Sequence, residues 1–132
     1  MPMKPHKILV VEDDKVTRTL MGAILSQAGY EVVFAHTASE AVKLVREEDP
    51  HLVTLDINLD MDSPGDAWDG FTVAGWLKRL NETAPIPLII VSGADPSKII
   101  GKASEVGAYT LLSKPVEKAS LLAAVAGALG LK

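Results

Sequence analysis

Glu12, Asp13 and Asp14 stand directly behind the apolar run KILVV (7–11), Asp56 behind HLVTL (51–55), Ser92 behind PLIIV (87–91) and Lys114 behind YTLLS (109–113). Carboxylates crowded together repel one another and take up protons unless a cation sits among them. A hard divalent ion that keeps part of its water, as Mg2+ does, prefers such oxygen ligands. With Mg2+ on one side, an ammonium and a hydroxyl could hold the oxygens of a phosphoryl group, leaving Asp56 as the nucleophile toward phosphorus. Each residue taken alone has a plainer role. Acids cap helices, with Asp14 the best placed of the three; a serine after a strand turns the chain; a lysine is solvated. The shared placement of all of them favours the chemistry.

That placement depends on the elements between. The runs at 7–11, 31–35 (EVVFA), 51–55 and 87–91 are apolar at nearly every position and rich in β-branched residues, as strands buried on both faces of a parallel sheet are. The run at 109–113 is weaker. Between them lie helical patterns with readable ends. Residues 15–28 put Leu20, Met21, Ile24, Leu25 and Ala28 on one stripe, stopped by Gly29. Thr37 and Glu40 have capping-box spacing for a helix carrying Ala41, Val42, Leu44 and Val45, ended by Asp49-Pro50. Val73, Trp76, Leu77 and Leu80 form a third stripe. Asp95-Pro96 opens a fourth helix, with Ile99, Ile100, Ala103 and Val106 on its stripe and Gly107 closing it, and Leu121, Leu122, Val125 and Leu129 mark a fifth. Alternating strands and helices predict an α/β, doubly wound, five-stranded parallel sheet with right-handed crossovers. In such sheets chemistry gathers at the carboxyl ends of the strands, where the polar residues above fall.

Composition narrows the function classes. The 132 residues suit one domain, expected over 1–132, and 48% hydrophobic against 23% charged residues is an ordinary globular balance. The absence of cysteine removes disulfides and thiolate sites and favours a cytoplasmic protein. The opening MPMKPHKILVV is too short an apolar stretch for a signal core or membrane span, so no membrane association is expected. Seventeen acids against thirteen Lys and Arg give a net charge of −4 with the bases scattered, which argues against nucleic-acid binding. A proline directly after Lys114 restricts the lysine's backbone and admits a cis bond that would fix the ammonium's approach.

Through KILVVEDDKVTR (7–18), the strand ending in Asp56, PLIIVSGAD (87–95) and GAYTLLSKP (107–115), the chain resembles the receiver domain of bacterial two-component response regulators. The resemblance implies a flavodoxin-like (βα)5 fold with strand order 2-1-3-4-5. It also implies Asp56 as phosphoacceptor, Asp13 as direct Mg2+ ligand with Glu12 acting through water, a backbone carbonyl ligand at Asn58, Ser92 as switch hydroxyl and Lys114 as phosphate-binding lysine. Gly93 meets the family's need for a small residue beside the phosphoryl group. The implied partners are a sensor histidine kinase or a histidine phosphotransfer protein, an effector, and a second copy through the face of the fourth helix, fifth strand and fifth helix. Such a protein is a signalling switch rather than an enzyme, limited to its own phosphorylation and dephosphorylation. The alternatives are a phosphorylation-independent interaction module and a Mg2+-dependent phosphohydrolase; the latter is disfavoured because Asn58 stands where those enzymes carry a second aspartate.

Two departures set the chain apart. Leu111 occupies the position of the family's switching aromatic, with Tyr109 two residues too early, so the usual aromatic switch is not expected. The connection 57–69, DINLDMDSPGDAWDG with its flanks, exceeds the usual strand-to-helix length of about 2 to 6 residues. Pro64 and Phe71 fall where an EF-hand alignment starting at Asp60 needs carboxylates, which excludes that reading. Trp68, flanked by Asp66 and Asp69, is expected as a lid or partner contact.

Overall fold

The structure is a computed structural model that describes residues 5–57, 70–79, 85–93 and 95–131, without the side chains of 70–72. Five strands and five helices alternate: β1 (Lys7–Val11), α1 (Lys15–Gln27), β2 (Glu31–Ala35), α2 (Ala38–Glu48), β3 (Leu52–Asp56), α3 (Gly70–Arg79), β4 (Leu88–Ser92), α4 (Pro96–Glu105), β5 (Thr110–Ser113) and α5 (Lys118–Ala128). The strands form one parallel sheet in the order β2-β1-β3-β4-β5, as expected. The chain therefore runs outward in one direction from β1 to β2 and in the other from β3 to β5. The switch point lies between β1 and β3, where the carboxyl ends leave a crevice.

The helix boundaries follow from local chemistry. Asp14 caps α1, its carboxylate accepting from the Thr17 amide at 3.0 Å. Thr37 caps α2 through the Glu40 amide at 3.1 Å, while the Glu40 carboxylate reaches back to the His36 amide at 3.2 Å. α2 ends at Asp49 in the left-handed region, and Asp95 with Pro96 starts α4. Gly29 and Gly107 stop the chain after α1 and α4 at positive φ, which glycine adopts without strain.

Alternate residues of each strand feed two cores. Ile8, Val10, Leu52, Ile89 and Val91 pack with Met21, Ile24 and Leu25 of α1 and Leu121 and Val125 of α5. Leu9, Val11, Val53, Leu55, Leu88 and Ile90 pack on the other face with α2, α3 and Ala103 of α4. Each fully buried Leu or Ile contributes roughly 1.5–3 kcal/mol of transfer free energy. With both faces covered, the inner strands β3 and β4 are buried along their whole length, which is why they read as unbroken apolar runs.

Several expectations shift, among them that for Ile100 of α4, which is 56% exposed and so lies off the buried face. β3 and β4 extend one residue further than their apolar runs, so Asp56 and Ser92 are the last strand residues rather than the first beyond them. The ladder is held by backbone groups, which a polar side chain does not interrupt. On α1, Leu20 is 44% exposed and Ala28 is also exposed, so both lie off the buried face. Gly22 takes a place on that face because it packs under Phe34 of β2: a Cβ there would come within 2.5 Å of the ring. Leu80 of the third stripe lies outside the described residues.

Candidate functional site

At the carboxyl end of β1, the Glu12 amide donates to the Ala35 carbonyl at 3.0 Å, extending the β1–β2 ladder one residue beyond the strand. Glu12 is thereby drawn into the crevice, where it is 1% exposed. Its Oε2 accepts from the Asp14 amide at 3.1 Å, folding the turn back on itself. Asp13 faces solvent, and Asp14 turns the other way to cap α1. The sequence reading separates Asp14 from the other two acids, and the hydrogen bonds bear this out.

Asp56 ends β3, the neighbour of β1, and is also 1% exposed. One carboxylate oxygen from each of Glu12, Asp13 and Asp56 lies within 4.8 Å of the others. Lys114, just past β5, reaches across to them: its Nζ is 3.1 Å from Asp56 Oδ2 and hydrogen-bonds Glu12 Oε2 at 3.2 Å. Glu12 Oε1 is as close to the ammonium, at 3.1 Å, yet it is buried and has no hydrogen bond among the described residues. Lys114 is anchored in turn by its backbone amide, which donates to the Ser92 carbonyl at 2.8 Å; its bond to Pro115 is cis. Ser92, buried at the end of β4, sits beside β3 in the sheet with Ser113 as its register partner on β5. An added Cβ at Gly93 would meet nothing within 4 Å among the described residues. Asn58, Trp68 and the rest of 58–69 lie outside the described residues.

Electrostatics follow from this crowding. Burial, and after it the hydrogen bond and charge of Asp56, raises the Glu12 carboxyl from 4.5 to about 7. Burial pulls the Lys114 ammonium down, but Asp56 and Glu12 together outweigh it and the net shift is upward. The lysine is held charged as counter-ion to two carboxylates. Hydrogen bonds from Thr17 lower Asp14, as suits a charged cap.

Arg18 is a neighbour that the sequence reading counts only among scattered bases. From the first turns of α1, its Nη1 donates to the carbonyls of Glu12 at 3.1 Å and Asp13 at 3.4 Å. The one available signal is its position a turn and a half after the acidic pair, which does not by itself foretell a bond to backbone.

The donor set fits a hard divalent cation. It offers only oxygens, more negative charge than one lysine neutralises, and a buried carboxylate oxygen that lacks a hydrogen bond among the described residues. The response regulator receiver domain family matches residues 8–126, most of the chain and all of the sheet except Lys7. The chain belongs to that family. Receiver domains are signalling domains of two-component systems that bind Mg2+ at an acidic pocket, and Glu12, Asp13 and Asp56 form an acidic cluster in this chain. This receiver domain is 35% identical over 118 residues to Protein PilH of Pseudomonas aeruginosa, covering 88% of this chain and 91% of PilH. It is 29% identical over 129 residues to the transcriptional regulatory protein GlrR of Escherichia coli, covering 98% of this chain but only 27% of GlrR. Among solved structures, the receiver domain of NtrX from Brucella abortus superposes with a TM-score of 0.83 at 30% identity, covering 95% of this chain and 99% of that one. A CheY-like receiver domain protein from Methanospirillum hungatei gives 0.83 at 26% identity, covering 96% and 94%. Among the described residues no helix is long and apolar enough to cross a membrane.

Proposed function

We propose that this receiver domain accepts a phosphoryl group on Asp56 from a phosphohistidine donor, a sensor kinase or a histidine phosphotransfer protein, and thereby changes its affinity for an effector. The observation that carries the reading is the Lys114 ammonium 3.1 Å from the Asp56 carboxylate, beside two further acids. In the reaction an Asp56 oxygen attacks phosphorus, the donor's N–P bond breaks, and the electron pair returns to the imidazole, leaving an aspartyl phosphate. Lys114 follows the charge from the carboxylate to the phosphoryl oxygens, and the Ser92 hydroxyl at the end of the adjoining strand is a neutral donor to them. Glu12, Asp13 and Asp56, together with the Asn58 carbonyl, would hold Mg2+. When bound, the ion neutralises the phosphoryl oxygens that the acidic pair would otherwise repel.

The chain works here as one domain, in the cytoplasm, as a switch whose only chemistry is on itself. Incubation with a small phosphodonor and Mg2+, followed by intact-mass measurement, tests it. One added phosphoryl group, released by hydroxylamine and absent in Asp56→Ala, is the expected result. Addition that persists in Asp56→Ala, or none at all in the wild type, would overturn it. Effector binding unaltered by phosphorylation would instead favour a phosphorylation-independent module.

A further inference from the structure

The β1–α1 turn is hydrogen-bonded on most of its polar groups. The Glu12 amide is taken by Ala35, the Asp14 amide by Glu12 Oε2, and the Asp14 carboxylate by Thr17 through its amide at 3.0 Å and its hydroxyl at 2.6 Å. Two successive carbonyls of the turn, those of Glu12 and Asp13, accept from the half-buried Arg18, whose Nη1 donates to them at 3.1 and 3.4 Å. We propose that Arg18 is a positioning residue: by bridging two successive carbonyls it fixes the peptide planes on either side of Asp13, and so aims the Glu12 and Asp13 carboxylates at the cation they share with Asp56. The inference rests on the reading of this cluster as the Mg2+ site of a phosphoacceptor.

The residue type suits the task. A single guanidinium nitrogen carries two N–H groups in a fixed plane, one for each carbonyl, whereas a lysine ammonium has no such preset geometry. Positioning matters most for Asp13, which is solvent-exposed, so that packing does little to aim it and its backbone must. Such outer contacts to metal-binding residues are typically worth about 10- to 100-fold in metal affinity.

Charge and positioning make opposite demands, which gives the test its sign. Removing a cation beside a cluster of carboxylates would by Coulomb attraction alone tighten Mg2+ binding. Removing a brace would weaken it.

Mg2+ affinity of the full chain is measured by calorimetry at fixed ionic strength for wild type, Arg18→Gln, Arg18→Ala and Arg18→Lys. Alongside it go the melting temperature without Mg2+ and the rate of Asp56 phosphorylation against Mg2+ concentration. The expected result is about 10-fold weaker Mg2+ binding in the Gln and Ala variants. Half-saturation of phosphorylation should move with it, while the rate at saturating Mg2+ stays near wild type; the Lys variant should fall between. Mg2+ binding as tight as wild type or tighter overturns the proposal. So does a loss of rate that saturating Mg2+ does not restore and that follows a fall in melting temperature, which marks a merely structural residue. Should the Ala variant fail to fold, the Gln and Lys variants carry the comparison. A wild-type chain that neither binds Mg2+ nor is phosphorylated overturns the reading of the site itself, an outcome distinct from variants that match an active wild type.

Discussion

Lys114 Nζ lies 3.1 Å from Asp56 Oδ2 across 58 residues of sequence, in a crevice where Glu12 Oε1 comes equally close to the same ammonium. Before any divalent ion arrives, this lysine is the cation that makes two buried carboxylates tolerable. Lys114→Ala should therefore destabilise the metal-free fold by about 2 kcal/mol, below the usual cost of orphaning a buried charge because the side chain is partly exposed and Glu12 can protonate. An ion that binds only the native state restores stability by mass action, so saturating Mg2+ should narrow the deficit. Thermal denaturation with and without Mg2+ checks both parts; a deficit that Mg2+ leaves unchanged would contradict the counter-ion role. Phosphorylation of the variant should slow by about 100-fold or more, the usual loss when a charge-stabilising donor is removed.

The raised Glu12 carboxyl sets a pH dependence whose sign can be fixed. With its pKa moved by burial and by Asp56 from 4.5 to about 7, the native state keeps a proton that the unfolded chain has already released across that interval. The metal-free fold therefore loses this contribution as pH rises from about 4.5 to about 7, and changes no further above it. Mg2+ needs the deprotonated carboxylate, so its affinity should climb by up to about tenfold per pH unit below the midpoint and then level. Calorimetry in buffers of different ionisation enthalpy should record proton release on binding inside the window and little above it. In Glu12→Gln the pH dependence should flatten; an unchanged slope in that variant would assign the proton elsewhere.

Asp14 offers the contrasting case. It neighbours the two acids of the cluster but spends its carboxylate on Thr17, through the amide at 3.0 Å and the hydroxyl at 2.6 Å. Asp14→Ala should lower the melting temperature, as loss of an N-cap does, and leave Mg2+ affinity near wild type. The stabilisation should fade in acid, as pH falls through the lowered pKa of the cap. Mg2+ binding weakened as much as in Glu12→Gln would show that all three acids serve the ion.

Much of this was legible in the sequence because burial on both faces writes itself into composition. KILVV, HLVTL and PLIIV lack the alternation of a half-exposed strand, and helices with Thr37, Asp95, Gly29 and Gly107 at their ends leave only one way to alternate. Once a parallel sheet is fixed, Glu12, Asp56, Ser92 and Lys114 must share its carboxyl edge. What stayed hidden depends on contacts between side chain and backbone, which carry no periodic signal. The Arg18 bond to two carbonyls is one instance, and the Lys114 amide held by the Ser92 carbonyl at 2.8 Å is another. Strand ends were misjudged by one residue because hydrophobicity stops at Leu55 and Val91 while the backbone ladder continues to Asp56 and Ser92. Leu20 was misjudged because helical spacing alone cannot tell the centre of a stripe from its margin, and Gly22, with no side chain to score, marks the centre here.

Two residues before Asp56 on β3, and so on the same side of the strand, Thr54 is 1% exposed and its buried hydroxyl has no hydrogen bond among the described residues. A hydroxyl taken out of water without compensation costs about 1–3 kcal/mol by protein mutational measures, and valine has nearly the same shape without the polar atom. Thr54→Val should accordingly stabilise the fold by about 1 kcal/mol, against the general tendency of core substitutions to destabilise. The strand should keep its register, because Thr54 stays opposite Val10 and Ile89 through backbone groups that the substitution does not touch. Mg2+ affinity should hold as well, since the hydroxyl donates to none of the clustered carboxylates. Chemical denaturation of the two proteins decides the point. A loss of stability in Thr54→Val would mean that the hydroxyl has a partner in solution, an internal water being the simplest, and a loss of Mg2+ affinity with it would tie that partner to the acidic cluster.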